Sequence, residues 1–525
     1  MDRVQAQIGT LDIAVIAAYL AIVLLIGIWV ARRTSTGEDL FLAGRSLAWG
    51  AIGLSLFASN ISTTTLMGLT GAAYSSGIAT SAFEWMAGIP LLLLAFIFAP
   101  LFLKARITTT PEWLDLRYSR PVRLYFSGLT ILFTVIVDTA GGLYAGGVVM
   151  TTFFPEVPLW LACGVIGLFA GGYAAAGGLK AVVYTDVLQA VVLIAGCGIT
   201  ALILFGELDY SWARVTEALP EGHLSMVRPI GDPDLPWTGL VAGIWLLGFW
   251  YWVTNQYIVQ RALGARSVPD AQRGALLGGL LKILPLFLMV LPGAMAAPLL
   301  PDIPEPDQVF PVMITTVLPV GLTGLVLAGL IAAIMSTVDS TLNAASALII
   351  NDFATPPEQR LAPRKARRWG TLCTLTLMVV AVIWAPLIQF AGGIWDYLQQ
   401  AFSIIVPPVV ALFVYGALSR RPTGRAALRT LLSMHALGVA LFVLAQLGVW
   451  PLHFTETVTV VTILSFVVLH LLSRPGGPAL DPSLIWTPAD ALAGRADDAT
   501  PAIWDVRLWG AILAAAMGAV LIWFW

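Results

Sequence analysis

Five ionisable residues lie in apolar runs long enough to cross a lipid bilayer: Glu84, Asp138, Asp186, Lys282 and Asp339. A charge inside a bilayer is costly, so such residues are candidates for binding or transport chemistry. The alternative is that they pair with one another and serve structure alone. We expect that not all five are structural.

The segment 329–340 carries a second candidate. Ala333, Ser336, Thr337 and Ser340 follow the i, i+3, i+4, i+7 spacing of one helix face. A hard monovalent cation takes neutral oxygens from hydroxyls and carbonyls, and an unwound helix opposite this face would supply the carbonyls. The alternative is a small-residue packing face, which is common in membrane helices.

Two apolar runs are interrupted by polar residues and glycines, one at residues 59–71 and the other, five spans later, at residues 248–256. Interrupted helices at corresponding positions of two halves point to the binding site of a secondary transporter. A single run of this kind would instead be explained by Ser and Thr bonding to carbonyls of their own helix. Two matched runs favour the transporter.

These residues must be positioned by membrane helices. Of the 525 residues 58% are hydrophobic and 11% charged, which excludes a soluble domain as the main body. Fourteen segments are long and apolar enough to span; they begin near positions 13, 48, 82, 124, 158, 183, 238, 274, 320, 369, 394, 427, 454 and 507. The first is read as a retained helix rather than a signal peptide.

Basic residues predict the orientation of these segments. If the N-terminus lies outside, alternate loops starting with Arg32 and Arg33 face the cytoplasm and hold 24 of the 28 Lys and Arg residues. Both termini are then extracytoplasmic, and the polar linker at about 474–506 is cytoplasmic. We expect an all-α polytopic protein of the cell (inner) membrane.

Other functional classes lack their signals. The three cysteines lie singly in apolar runs and the four histidines lack ligand spacing, so neither a metal cluster nor a nucleophile–base pair suggests an enzyme. The formal net charge of -2 indicates no nucleic-acid partner, and no obligatory protein partner is evident. A passive channel or a non-transporting sensor stays open, because an ion site can gate without coupling.

Several motifs together resemble the sodium/solute symporter family, closest to its sodium-glucose cotransporter branch. They occur in order over most of the chain, at residues 41–45 (FLAGR), 58–62 (ASNIS), 83–86 (FEWM), 178–186 (GLKAVVYTD), 251–261 and 336–343.

The resemblance implies a LeuT-like core of two inverted five-helix repeats and alternating access. It divides the chain into a leading helix and loop (1–47), a first repeat (48–207), an extracellular loop (208–237), a second repeat (238–418) and three trailing helices (419–525). It also implies a site for a co-transported sodium ion formed by the carbonyls of Ala58, Ile61 and Ala333 and the hydroxyls of Ser336 and Thr337.

The resemblance further implies substrate contacts and gates. Position by position, the substrate set becomes Thr65, Glu84, Gly248, Lys282 and Gln399, with Tyr251 as an inner aromatic gate and Trp252 beside it. Leu69, Phe83 and Trp395 fall at outer-gate positions. Thr65 and Gly248 depart from the residues usual there, which leaves the selected sugar open.

Asp138 stands where acid-transporting relatives place an arginine. Like-charge repulsion then argues against an anionic substrate, and Asp138 would bond substrate hydroxyls or pair with Lys282. The sequence therefore predicts a sodium-coupled symporter for a small neutral polyhydroxylated solute, a monosaccharide or polyol. The alternative is a symporter of the same family that carries a cationic or zwitterionic solute such as an amino acid or amine.

A second sodium site is predicted at Asp186, Asp339 and Ser340, one helical turn beyond Ser336. Two carboxylates in one dry site require either a cation or a proton between them. Against this stands the alternative that Asp186 caps its own helix and Asp339 pairs with a basic residue. Coupling to one or to two sodium ions therefore stays open.

Overall fold

The computed structural model describes residues 9–31, 43–174, 179–354, 363–391, 393–473, 480–494 and 501–525. The extreme N-terminus, most of the predicted first cytoplasmic loop (32–42, with two of the five FLAGR residues), Gly178, and parts of the predicted 474–506 linker lie outside this set. Within it the secondary structure is helical, and β-pairing is limited to two isolated bridges. Helices satisfy every internal backbone group locally, as a bilayer requires.

A helix forms at each of the fourteen predicted segments. We number the first seven α1 (Thr10–Ala31), α2a and α2b (Trp49–Asn60 and Thr63–Ser76), α3 (Ile78–Lys104), α4 (Arg120–Phe153), α5 (Leu159–Ala174), α6 (Leu179–Glu207), and α7a and α7b (237–254 and Gln256–Leu263). The others are α8 (Val268–Leu299), α9 (Leu322–Leu348), α10 (Pro363–Trp384), α11 (Ile394–Leu418), α12 (Gly424–Gln446), α13 (Phe454–Leu472) and α14 (Val506–Trp523).

Ten helices of the described chain are long and apolar enough to cross a membrane, and the bent pair α2a–α2b makes eleven. The described parts of α1 and α5 are shorter apolar helices, and α7 is interrupted. Crossing by all fourteen therefore stays a prediction.

Both predicted interruptions occur. α2 bends by 59° between Asn60 and Thr63. α7 winds into a π-helical turn at 250–254 and then leaves helical geometry at Asn255, whose ψ is 120°. In each case a polar residue ends one half, and the next half starts within three residues.

Contacts across the protein define two opposite faces. The loop at 208–237 meets the C-terminus, where the Met226 amide donates to the Phe524 carbonyl at 2.8 Å. We call this the loop face. On the opposite side, the linker at 480–494 contacts α3 through the ion pair between Lys104 and Asp490 at 3.2 Å. We call this the linker face.

Candidate functional site

The break in α2 changes the bonding of two backbone carbonyls. In an unbroken helix the Ser62 amide would donate to the Ala58 carbonyl and the Thr65 amide to the Ile61 carbonyl. Instead the Ser62 amide donates to the Asn60 carbonyl at 2.7 Å, and the Thr65 amide donates to the Ser62 hydroxyl at 3.2 Å. The carbonyls of Ala58 and Ile61 thereby lose their helical donors.

Helix α9 packs against this break with its hydroxyl stripe. The Thr63 hydroxyl donates to the Leu330 carbonyl at 3.0 Å, joining α2b to α9. Thr337 lines the cavity beside the break. Ala333, in contrast, lies within the unbroken part of α9 and its carbonyl has a helical donor.

The residues of the predicted sodium site are therefore carried by two helices in contact. Two released carbonyls and two hydroxyls are the neutral oxygens that suit a hard monovalent cation. The donor set fits sodium, and the assignment of the five ligands stays a prediction.

Asp186 lies in a buried polar cluster next to this site. Its carboxylate accepts from the hydroxyls of Ser55 at 2.8 Å, Ser59 at 3.0 Å and Ser336 at 2.9 Å. It also forms an ion pair with Arg261 of α7b at 3.0 Å, with both side chains almost fully buried.

Arg261 changes the charge argument for a second cation site. The prediction assumed that no protein cation lies beside the carboxylates of Asp186 and Asp339. That assumption is wrong, because Arg261 supplies a positive charge to Asp186. Asp339 and Ser340 are buried, and Asp339 Oδ1 and the Ser340 hydroxyl have no hydrogen-bond partner in the described part of the chain. A second site at Asp186, Asp339 and Ser340 stays a prediction that now rests on these two atoms.

A cavity opens between the two broken helices and α3, α4, α9 and α11. Ten of the residues that the sequence singled out line it: Thr65, Phe83, Glu84, Asp138, Gly248, Tyr251, Trp252, Thr337, Trp395 and Gln399. Leu69, predicted at the outer gate, is fully buried and is not among the lining residues.

Lys282 and Glu84 form the charged centre of this cavity. The Lys282 ammonium of α8 donates to the Glu84 carboxylate of α3 and to the Asn60 side-chain carbonyl at the break. It also lies 5.6 Å from the centroid of the Trp252 ring. Lys282, predicted to contact the substrate, is not among the residues that line the cavity; it bonds to Glu84 and Asn60, which are.

Asp138 lines the cavity from the π-helical turn of α4. It accepts from the Asn255 amide at 3.5 Å, at the break in α7. The expected alternative pairing with Lys282 is wrong in this structure, because Lys282 bonds to Glu84 and Asn60. Among the described residues Asp138 has no cationic partner.

Aromatic rings line the cavity toward both faces. Toward the linker face, Tyr251 donates to the Ser59 carbonyl at 3.2 Å and packs edge-to-face on Trp252 and Tyr257. Toward the loop face, the Phe83 and Trp395 rings meet edge-to-face at 5.4 Å. Three of the four predicted gate residues, Phe83, Tyr251 and Trp395, are thus rings in contact with other rings, and their role as gates stays a prediction.

Some site residues were missed by the sequence reasoning. Asn60 and Tyr257 line the cavity, and both sit next to the breaks that the sequence did locate. Phe454 of α13 stacks on Phe83 at 6.4 Å. It starts an ordinary apolar helix, so nothing local marks it.

Comparison with known proteins supports this geometry. Residues 40–433 match the model of the sodium:solute symporter family. The sodium/glucose cotransporter 4 of Homo sapiens is 33% identical over 78% of this chain, which covers 66% of that relative. The sodium/glucose cotransporter of Vibrio parahaemolyticus is 33% identical over 82% of this chain and 84% of its own. The chain thus spans about two thirds of the human relative's length.

Solved structures show the fold. A Na⁺-coupled sialic acid symporter in a substrate-bound, outward-open state superposes with a TM-score of 0.74, at 22% identity over 88% of this chain and 97% of its own. A nucleobase-cation-symport-1 family transporter in a closed conformation gives 0.56 at 14% identity. The predicted LeuT-like arrangement of helices is confirmed.

Proposed function

Because the chain belongs to the sodium:solute symporter family, we propose that it imports a neutral polyhydroxylated solute, a monosaccharide or a polyol, coupled to sodium by alternating access. Membership of this family makes it a multi-pass transporter rather than an enzyme. Sodium is its co-transported ion.

The observation that carries the proposal is the set of hydrogen-bonding groups around one cavity. Glu84, Asp138 and the Thr65 hydroxyl, whose own proton goes to the Asn60 carbonyl, can accept, while the Gln399 amide both accepts and donates, so a ring of hydroxyls can be satisfied from several sides. Tyr251 and Trp252 provide flat apolar faces of the kind that pack on the C–H surface of a sugar ring. The sodium/glucose cotransporters among its relatives support a sugar as the solute.

Sodium coupling follows from where the predicted cation site lies. The site spans the α2 break, which also carries Asn60 and Thr65 of the cavity, and the stripe on α9. An ion bound between them would hold the broken helix in the form that presents these side chains. Substrate and ion affinities would then be linked, and each would strengthen the other by the same factor.

Uptake into proteoliposomes tests the proposal. An inward sodium gradient should drive accumulation of a labelled hexose above equilibrium, and a potassium gradient should not. A panel of hexoses, pentoses and polyols would identify the solute. Equal entry with either cation would contradict coupling and would favour a passive pathway.

Asp138 favours one second candidate, a cationic or zwitterionic solute. A buried carboxylate without a cationic partner among the described residues can bind an amine directly. The same proteoliposomes with labelled amino acids and amines decide between the two. Sodium-driven amine uptake that Asp138→Asn abolishes, with no hexose uptake, would replace the sugar proposal.

We further infer that the protein resides in the cell (inner) membrane with both termini on the extracytoplasmic side. The position of the basic residues supports this orientation, because 24 of 28 fall on the side assigned to the cytoplasm. The loop face is then extracytoplasmic, and the outer aromatic rings face the incoming solute.

A further inference from the structure

The first helix lies outside both five-helix repeats, yet one of its carboxylates is buried against the helix that carries the hydroxyl stripe. Asp12 of α1 is 1% exposed. Its Oδ1 accepts from the amides of Gly321 at 2.6 Å and Gly324 at 2.7 Å, at the start of α9. Its Oδ2 accepts from the Gly9 amide at 2.9 Å. One side chain thus caps the N-terminus of a helix more than 300 positions away in sequence.

The glycines at this end of α9 are required by the contact. Gly321 has a φ of +93°, which an L side chain rarely adopts. A Cβ on Gly324 would meet the Asp12 Cα at 2.5 Å and its carbonyl oxygen at 2.6 Å. The backbones of α1 and α9 can therefore approach this closely only with glycine at position 324.

The contact continues along α9 toward the cation site. Tyr19 and Val23 of α1 pack on Ala328 and Ala332. These two small residues follow Gly324 at intervals of four, so all three lie on one face of α9. α1 also packs on α6 through Leu188 and Val192. It therefore contacts both helices that flank the inner polar cluster, α6 with Asp186 and α9 with Ser336.

We propose that Asp12 is a positioning residue for the sodium site. α9 runs from Leu322 to Leu348 without a break, so a displacement at its capped end is transmitted to Ser336, about 18 Å further along at 1.5 Å per residue. The carboxylate also opposes the positive end of the α9 dipole. The carbonyls at the α2 break form the other half of the site, and this break has no such contact with Asp12. Loss of the cap therefore shifts the ligands on α9 relative to those at the α2 break. The proposal rests on the sodium-coupled function proposed above.

The test measures sodium and sugar binding separately on purified protein. Sodium chloride is titrated against choline chloride at constant ionic strength with tryptophan fluorescence as the readout, and D-glucose is then titrated in saturating sodium. Asp12→Ala should raise the sodium concentration for half-saturation about fivefold, the size expected for one lost helix cap, with sugar affinity in saturating sodium unchanged. Asp12→Asn keeps the Oδ1 acceptor and should stay within about twofold of wild type.

Asp209→Ala is the matched control, since Asp209 is exposed on the same face and pairs with Arg214 away from α9. If Asp12→Ala does not fold, Gly324→Ala replaces it, because its Cβ displaces α1 while the carboxylate is retained. An unchanged sodium curve in Asp12→Ala, or in Gly324→Ala where that replaces it, overturns the role of Asp12 even if the melting temperature falls. A wild-type protein that does not respond to sodium overturns the proposed function instead.

Discussion

The chemistry of the cavity depends on how a few buried charges are paired. Lys282 is held by Glu84 and Asn60, and Asp186 is held by Arg261, so each of these charges is compensated inside the bilayer. Asp138 and Asp339 are buried without a cation partner among the described residues. The unpaired carboxylates Asp138 and Asp339 therefore differ from Glu84, which faces the cavity as one partner of an ion pair.

Glu84 and Gln399 are predicted to hold substrate hydroxyls. Glu84→Ala would remove both the charge and the acceptor that the buried Lys282 ammonium uses, so Glu84→Gln, which keeps an oxygen acceptor for Lys282, is the informative change. Replacing a charged acceptor with a neutral one should cost about 2 kcal/mol of sugar binding, roughly thirtyfold. Gln399→Ala should also weaken sugar binding, with folding and sodium binding retained in both. Full-strength sugar binding in both variants, measured by calorimetry in saturating sodium, would move the site elsewhere.

Ser336 and Thr337 are predicted sodium ligands. Ser336→Ala and Thr337→Ala should each raise the sodium concentration for half-maximal uptake by about tenfold, since a buried oxygen ligand is lost. Ser336→Ala also removes a donor to Asp186, so Thr337→Ala is the cleaner variant. Ser346→Ala, buried on the same helix, is the control. Unchanged sodium dependence of uptake in both variants would contradict the assignment of Ser336 and Thr337 as sodium ligands.

Asp339 tests whether a second ion is coupled. With Asp186 compensated by Arg261, a second sodium would be held by the unsatisfied oxygens of Asp339 and Ser340. If two ions accompany each sugar, Asp339→Ala should lower the coupling ratio from two to one, as measured by parallel ²²Na and sugar fluxes. A wild-type ratio of one that Asp339→Ala leaves unchanged would count against the second site.

At the scale of elements, two broken helices and one unbroken one build the site together. The breaks at residues 60–63 and at Asn255 place polar backbone and side chains within otherwise apolar helices. α9 lies opposite the two breaks as one uninterrupted helix. α13 adds Phe454, which stacks on Phe83 and brings a trailing helix to the outer aromatic rings. The start of α13 therefore contacts the predicted outer gate.

His453 immediately precedes α13 as its N-cap and makes this contact sensitive to acid. Its Nδ1 lies 2.7 Å from the Thr455 hydroxyl, its ring packs on Phe454, and burial lowers its pKa to about 4. The folded site rejects a proton that a free histidine binds below pH 6.5, so stability is full above about pH 6.5 and is lost as the pH falls toward about 4. The loss is on the order of 2 kcal/mol at pH 5.

Melting temperatures between pH 7.5 and 4.5 check this effect. His453→Gln cannot titrate and should flatten the acid slope. Thr462→Val, a change in the same helix that keeps His453, is the control and should leave the slope as in the wild type. Identical slopes for wild type and His453→Gln would show that the acid response arises elsewhere.

At the scale of the molecule, the two faces carry different contacts. The loop at 208–237, the C-terminus and the capped start of α9 share the loop face. The linker at 480–494 crosses the opposite face, where Trp486 donates to the carbonyls of Ala417 and Phe96. Between these faces, Tyr251 lines the cavity on one side and the Phe83 and Trp395 rings line it on the other.

Topology is checked by labelling single cysteines in whole cells. Asp209→Cys on the loop face should react with a membrane-impermeant maleimide, and Asp481→Cys on the linker face should react only after permeabilisation, because basic loops stay in the cytoplasm. Cys373, the one native cysteine that is not fully buried, is replaced by Ser in both. Labelling of Asp481→Cys alone would invert the orientation.

Sequence alone determined the features that depend on local composition. Apolar runs located the helices, the interruptions at 59–71 and 248–256 located both breaks, and residue types with the family motifs assembled most of the cavity wall. The helix-capping role of Asp12, the pairing of Lys282 with Glu84 and of Asp186 with Arg261, and the contact of Phe454 with Phe83 were decided only by the tertiary structure. These pairs are separated by about 75 to 370 positions in the chain. Whether such residues meet depends on helix crossing angles and rotations, which spacing along the sequence does not encode.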